Sequence, residues 1–231
     1  MNLDLHAVLS PSGLTEGQIS QLASLLASLE GDEHAPTAVR ESDLAAYVHL
    51  ADSLAALEVE DVRSARDVAD LGAGAGFPGL ALAVALPEAI VALVESQRRK
   101  CEFVSRTVAA AGISNARIVC ARAEDWPEGV GSSDVVTARA LAGQPVVLEY
   151  AAPLLRLGGV LVDWRGRRDA EEELAADRAA GELGMRREDV RRVVPFPNAR
   201  DRHLHIFRKV AETPDRFPRR AGVARKRPLG A

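Results

Sequence analysis

Apolar residues recur along this chain with two different periods, and the change from one to the other divides it. Between Leu14 and Leu29, the positions Ile19, Leu22, Leu25, Leu26 and Leu29 fall three or four apart, the spacing that lines one face of a helix. Thr15 stands where an N-cap would, its hydroxyl able to accept from a first-turn amide. A loop through "GDEHAPT" follows, and the pattern predicts a second helix over 42–57, opened by Ser42 or Asp43. The two helices are expected to form a small helical cap, residues 1–60, packed on the main domain.

From Ala65 onward the apolar residues gather into short runs separated by helical stretches. "ARDVADL", "AIVALVE", "NARIVCA", "SDVVTARA" and "VLVDW" read as strands. "PGLALAVAL", "RRKCEFVSRTVAAAG" and "PVVLEYAAPLLRLGG" read as helices, the last two ended by glycine. After a helix through "EEELAADRAAGELG", the segments "DVRRVVPF" and "DRHLHIFRK" add two strands, expected to pair antiparallel. Continuous apolar strands alternating with helices indicate a parallel sheet covered on both faces. The predicted class is α/β: a Rossmann-like, seven-stranded, mostly parallel sheet over 61–210, flanked by helices on both faces and carrying the N-terminal cap. Past Lys209, "AETPDRFPRRAGVARKRPLGA" has three prolines and no apolar period, so 211–231 is expected to be an irregular basic tail.

A length of 231 residues at 47% apolar content suits one well-buried domain with extensions. No apolar run approaches the roughly 20 residues that cross a bilayer, and no basic segment leads into an apolar core at the amino terminus, so a soluble, cytoplasmic protein is expected. Cys101 and Cys120 fall in a predicted helix and a predicted strand and are expected to be buried reduced thiols, with no disulfide and no metal site. Charge is uneven: residues 1–138 hold 9 basic and 20 acidic side chains, whereas the segment from Arg200 to the end holds 10 basic and 3 acidic ones. An acidic body with a basic end suits a polyanion approached from one side.

The stretch "DLGAGAGFPG", Asp70 to Gly79, follows the first strand and admits two frames. Counted through Asp70, Gly72, Gly74 and Gly76, it is the loop that closes over the methionine part of S-adenosylmethionine. Counted through Gly74, Gly76 and Gly79, it is the dinucleotide fingerprint. In both frames the glycines allow a sharp turn that brings the next helix close to the ligand. A methionine end also needs an acid near its ammonium, and Asp70 is placed to supply one, directly or through water. Glu95, closing the second strand, can accept both ribose hydroxyl protons, which the two cofactors share. "ARAEDW" puts small, polar and acidic groups where a methyltransferase holds adenine, and about 90 residues after Arg139 leave little for a dehydrogenase's substrate domain. The methyl donor is favoured. An NAD-dependent dehydrogenase, and a non-catalytic protein binding an adenosyl ligand and RNA, remain as alternatives.

"HLADSL", "DLGAGAGFPG", "VESQRRKCEFV", "ARAED", "TARAL" and "FPRRAGVARKRPL", in this order between Tyr47 and Leu229, resemble the small-subunit ribosomal RNA methyltransferase G family, also called glucose-inhibited division protein B. The resemblance implies methyl transfer from S-adenosylmethionine to N7 of one guanine in the decoding-site loop of 16S RNA, on the 30S subunit of a bacterial cytoplasm. S-adenosylhomocysteine would be the coproduct. It places cofactor contacts on Gly72, Phe77, Ala123, Glu124 and Arg139. The chain departs from the family in lacking an "N-L-T" segment before His49 and in holding Arg165 where lysine is common.

N7 has an in-plane lone pair and no proton at neutral pH, so no general base is expected. Arg139 is assigned a positioning role, with a salt bridge to Glu124 or Asp125 as the alternative. Trp126 and Trp164 are candidates for stacking on the base, against structural roles for both. His49 and Asp52 are candidates for holding the cap to the sheet, and His203 and His205 are assigned no chemistry. Phosphate contacts are expected from Arg165 and, in the tail, from Arg219, Arg220, Arg225, Lys226 and Arg227. A monomer is expected.

Overall fold

In a computed structural model, which describes residues 4–39 and 41–230, seven strands form one sheet in the order β3-β2-β1-β4-β5-β7-β6. The strands are β1 (Asp67–Leu71), β2 (Ile90–Val94), β3 (Ala116–Val119), β4 (Ser133–Arg139), β5 (Leu155–Arg165), β6 (Met185–Arg192) and β7 (His203–Lys209). The first five run parallel; β7 lies antiparallel to both β5 and β6.

Successive side chains point to opposite faces of a strand, and the core divides accordingly. Val68, Val91, Val135 and Val162 join one buried cluster, while Ala69, Ala92, Val136 and Leu161 join the other. Helices α1 (Leu5–Leu9), α2 (Glu16–Gly31), α6 (Gly79–Ala85) and α7 (Arg98–Ala111) cover the first face; α8 (Gln144–Ala151), α9 (Ala170–Glu182) and α10 (Val223–Lys226) cover the second. Leu22, Leu25 and Leu29 of α2 share the first cluster with Leu80 and Val91, so the cap is an extension of the main core.

Thr15 caps α2 with a full capping box through Gln18. The second cap helix is not regular. It runs from α3 (Ser42–Ala45) through a π-helical segment, Ala46–Ala51, and α4 (Asp52–Leu54) into a 3₁₀ turn at Ala55–Glu58, followed by α5 (Glu60–Arg63). The expected Ser42 cap concerns a side chain outside the described residues.

Three expectations need correction. The helix after β4 stops at Ala151, and "LLRLGG" is the start of β5, because Pro153 cannot donate to a continuing helix. Gly159 suits that strand: a Cβ there would stand 2.8 Å from Asp134 O. The sixth strand opens at Met185, ahead of "DVRRVVPF". Cys101 and Cys120 are joined as a disulfide, because the first turn of α7 packs beside the end of β3 and brings their Cα atoms to 5.9 Å. The tail, irregular outside one short helix, is packed on the domain. It contains α10, buries Phe217 and Ala224, and is anchored by Arg219, which donates two hydrogen bonds to the buried carboxylate of Glu149.

Candidate active site

The loop joining β1 to α6 turns three times through left-handed backbone, at Gly72 (φ 69°), Gly74 (φ 59°) and Gly76 (φ 99°). Behind it, Asp70 is fully buried: Oδ2 accepts from the Gly79 amide at 3.0 Å and Oδ1 from the Thr137 hydroxyl at 2.8 Å. Burial pushes its carboxyl up to about 6, against the pull of those two donors. Asp70 therefore braces the loop from behind and is not among the residues that line either neighbouring cavity. The same bond occupies the start of α6. A Cβ at Gly79 would stand 2.2 Å from Leu93 Cδ2, a close helix–strand approach that the third glycine of the Gly74 frame would serve equally.

Two cavities flank the loop at the C-terminal ends of the parallel strands, the usual ligand position in such sheets. The smaller, about 340 Å³, is lined by Gly72, Glu95, Gln97, Ala123, Glu124, Tyr150 and Arg225 among others. Glu95 accepts there from the amides of Gly74 at 3.1 Å and Gln97 at 2.8 Å. The larger, about 620 Å³, is bounded by the cap and lined by His49, Asp52, Gly74, Phe77, Arg139, Trp164, Arg165 and Arg202 among others. Gly72, Lys100 and Ala140 line both, so the two spaces meet at the loop. Ala140 holds φ 53°, a left-handed conformation uncommon for alanine, at that junction.

A carboxylate at the end of β2, small residues at Ala121 and Ala123, and a backbone turn without side chains are the donor set and space an adenosyl group requires. The smaller cavity fits it.

On the other side, Arg139 at the end of β4 donates to Val48 O at 3.0 Å and to Asp52 Oδ2 at 2.8 Å. Its acidic partner is thus Asp52 of the cap, and neither Glu124 nor Asp125. The π-helical turn ahead of Asp52 carries the Val48 carbonyl and His49 to the same place, a frequent use of such segments. Trp164 donates from Nε1 to Asp52 O at 3.0 Å, and His49 stacks on Phe77 with ring centroids 5.0 Å apart. His49 and Asp52 do join cap to sheet, and they also line the cavity. Asp163, buried and pushed up to about 6, accepts from Arg165 Nε at 2.7 Å and sets that guanidinium beside the opening.

Of the residues singled out from the sequence, Gly72, Glu95, Ala123 and Glu124 line the smaller cavity, whereas Gly74, Phe77, Arg139 and Arg165 line the larger. Gly76 lines neither; its Cβ position is filled by Leu80. Trp126 packs against Gly129 in the core and cannot stack on a base. Arg219 is committed to Glu149, so it drops out of the expected phosphate contacts, and Arg225 donates to Leu141 O at the smaller cavity's wall. Arg220, Lys226 and Arg227 stay exposed. Sequence reasoning missed Lys100, Ala140, Tyr150 and Arg202. Only Lys100 carried a signal, in "VESQRRKCEFV" directly after the strand that ends near Glu95.

A family model for rRNA small subunit methyltransferase G matches residues 16–204. The ribosomal RNA small subunit methyltransferase G of Deinococcus deserti is 41% identical over 217 residues, covering 91% of this chain and 88% of its own. That of Thermotoga neapolitana is 35% identical over 215 residues, 93% of each chain. Among solved structures, the fibrillarin pre-rRNA processing protein of Methanococcus jannaschii superimposes with a TM-score of 0.55 at 17% identity, covering 68% of this chain and 74% of that one. The S-adenosylmethionine-dependent methyltransferase SibL gives 0.57 at 18%, covering 85% and 70%. At these identities the structural likeness concerns the fold alone. The sequence matches favour the Gly72 frame of the loop.

Proposed function

Because this chain belongs to the rRNA small subunit methyltransferase G family and is an S-adenosylmethionine-dependent enzyme, we propose that it methylates N7 of one guanine in the decoding-site loop of 16S RNA. It acts in the cytoplasm, as a monomer, on the 30S subunit. One observation carries the reading: an acid-floored cavity and a cation-walled cavity meet at Gly72, Lys100 and Ala140.

The bound cofactor supplies an electrophilic sulfonium methyl. Glu95 would accept from its ribose, with Ala123 and Glu124 flanking the adenine. Lys100, whose Nζ is 4.0 Å from Glu95 Oε2, is placed to meet a carboxylate between the two cavities. The target base enters from the cap side. Its N7 needs no deprotonation, so the residues around it contribute alignment and electrostatics. An arginine beside a base that becomes positive is a poor arrangement by itself. Pairing Arg139 with Asp52 removes the difficulty, since the base then meets a carboxylate as well as a guanidinium. The exposed Arg220, Lys226 and Arg227 supply phosphate contacts at the rim.

The test is incubation of 30S subunits from a strain lacking this protein with radiolabelled methyl donor, then mapping of the modified nucleotide. Label at N7 of a single guanine of the decoding loop is expected. Label elsewhere, or none, overturns the reading.

A further inference from the structure

Five buried side-chain atoms among the described residues have no hydrogen-bond partner: His49 Nδ1, Asp52 Oδ1, Arg165 Nη2 and both ring nitrogens of His205. Three of the five belong to residues that line the larger cavity. Buried polar atoms are nearly always satisfied, so such a cluster at one cavity marks where the polar groups of a ligand arrive.

The atoms differ in what they can accept or donate. Asp52 is 5% exposed; Oδ2 is taken by Arg139, and Arg202 Nε stands 3.4 Å from Oδ1 without forming a hydrogen bond. Oδ1 is thus ion-paired with Arg202 but accepts no hydrogen bond. His49 Nε2 lies 3.0 Å from Thr37 Oγ1 and 3.1 Å from Val39 O; the carbonyl only accepts, and an Nε2–H directed at it leaves Nδ1 its lone pair. Burial, then Arg139, hold this ring's pKa below its ordinary value, which keeps it neutral. Two acceptor atoms three residues apart on one helical stretch thus belong to residues that line the cavity.

The commonest way to read guanine is a bidentate arginine on O6 and N7. That mode is closed to an enzyme that methylates N7, because it would occupy the reacting lone pair. Recognition has to come from the opposite edge, where guanine alone among the four bases presents two adjacent donors, N1–H and the 2-amino group. We propose that Asp52 Oδ1, aided by His49 Nδ1, accepts from this edge of the target guanine and so determines base specificity while leaving N7 free. This inference rests on the proposed function above. Adenine would set its N1 lone pair against the carboxylate and be rejected.

The test uses 30S subunits reconstituted with 16S RNA in which inosine, lacking only the 2-amino group, replaces the target guanine. For the wild-type enzyme, kcat/KM should favour guanine over inosine about 10- to 100-fold, the range of a hydrogen bond to a charged group. Asp52→Ala should bring the ratio to within about twofold of unity, even as activity on both substrates falls. A structural role for Asp52 would lower both rates and keep the ratio. Should Asp52→Ala fail to fold, Asp52→Asn and His49→Leu carry the same measurement, with a reduced ratio expected in each. A wild-type ratio near unity, or an unchanged ratio in the variants, overturns the inference while N7 methylation of the guanine subunits still stands. Absence of any methylation by the wild-type enzyme overturns both.

Discussion

Arg139 Nη1 lies 2.8 Å from Asp52 Oδ2, so a guanidinium at the end of β4 and a carboxylate of the cap close the two layers on each other. Both side chains are largely buried, at 17% and 7% exposure. Removing one partner of such a pair leaves an uncompensated charge and costs about 3–5 kcal/mol. Because Arg202 Nε still stands 3.4 Å from Asp52 Oδ1, Arg139→Ala should lose less than that range in chemical denaturation, and Asp52→Ala/Arg139→Ala should lose less than the sum of the single changes. Additive losses would show that the two groups do not interact.

The Arg219–Glu149 pair predicts that the tail serves the cofactor pocket. Glu149 is 1% exposed, Gly222 N donates to Glu124 Oε1 at 3.1 Å, and Arg225 lines the same cavity. Arg219→Ala, or truncation after Pro214, should weaken S-adenosylhomocysteine binding about tenfold or more with no RNA present, as read by calorimetry. If only RNA binding changed, and only its salt dependence, the tail would be the phosphate-contacting arm expected from its charge.

Glu95 has a narrower role. Glu95→Gln keeps an acceptor for the Gly74 amide and removes the charge offered to a ribose. Affinity for S-adenosylhomocysteine should fall about tenfold while stability stays within about 1 kcal/mol of wild type. An unchanged affinity would remove Glu95 from the cofactor site.

His205 predicts a pH dependence. It is 2% exposed, both ring nitrogens lack partners, and burial pushes its pKa down to about 4. A depressed value means the folded chain holds the neutral ring. Its contribution is therefore complete above pH 6.5 and is lost as the pH falls through 4. Asp70 and Asp163, raised to about 6, act in the opposite sense: their contribution is full below about 4 and is lost as the pH rises through 6. The melting temperature of His205→Phe relative to wild type isolates the histidine. The difference should grow in favour of the variant from pH 6.5 to 4, and a constant difference would contradict the assignment.

The glycine loop, Glu95 at its strand end, the Thr15 cap and all seven strands were legible in the sequence because each depends on neighbours within a few residues. Apolar period sets which face a side chain takes, and glycine at left-handed positions sets where the chain can turn. Asp70 was readable as a carboxylate beside the loop, but not as one turned inward, since that choice depends on Thr137 of the adjacent strand and on the packing of Gly79. The tertiary structure alone decided the partners of charged groups far apart in the chain: Arg139 with Asp52, Arg219 with Glu149, Trp164 with the Asp52 carbonyl. It also decided that Cys101 meets Cys120. Such pairings follow from strand order and from how cap and tail seat on the sheet. A charge has many candidate partners along the chain, and only packing removes water from one of them.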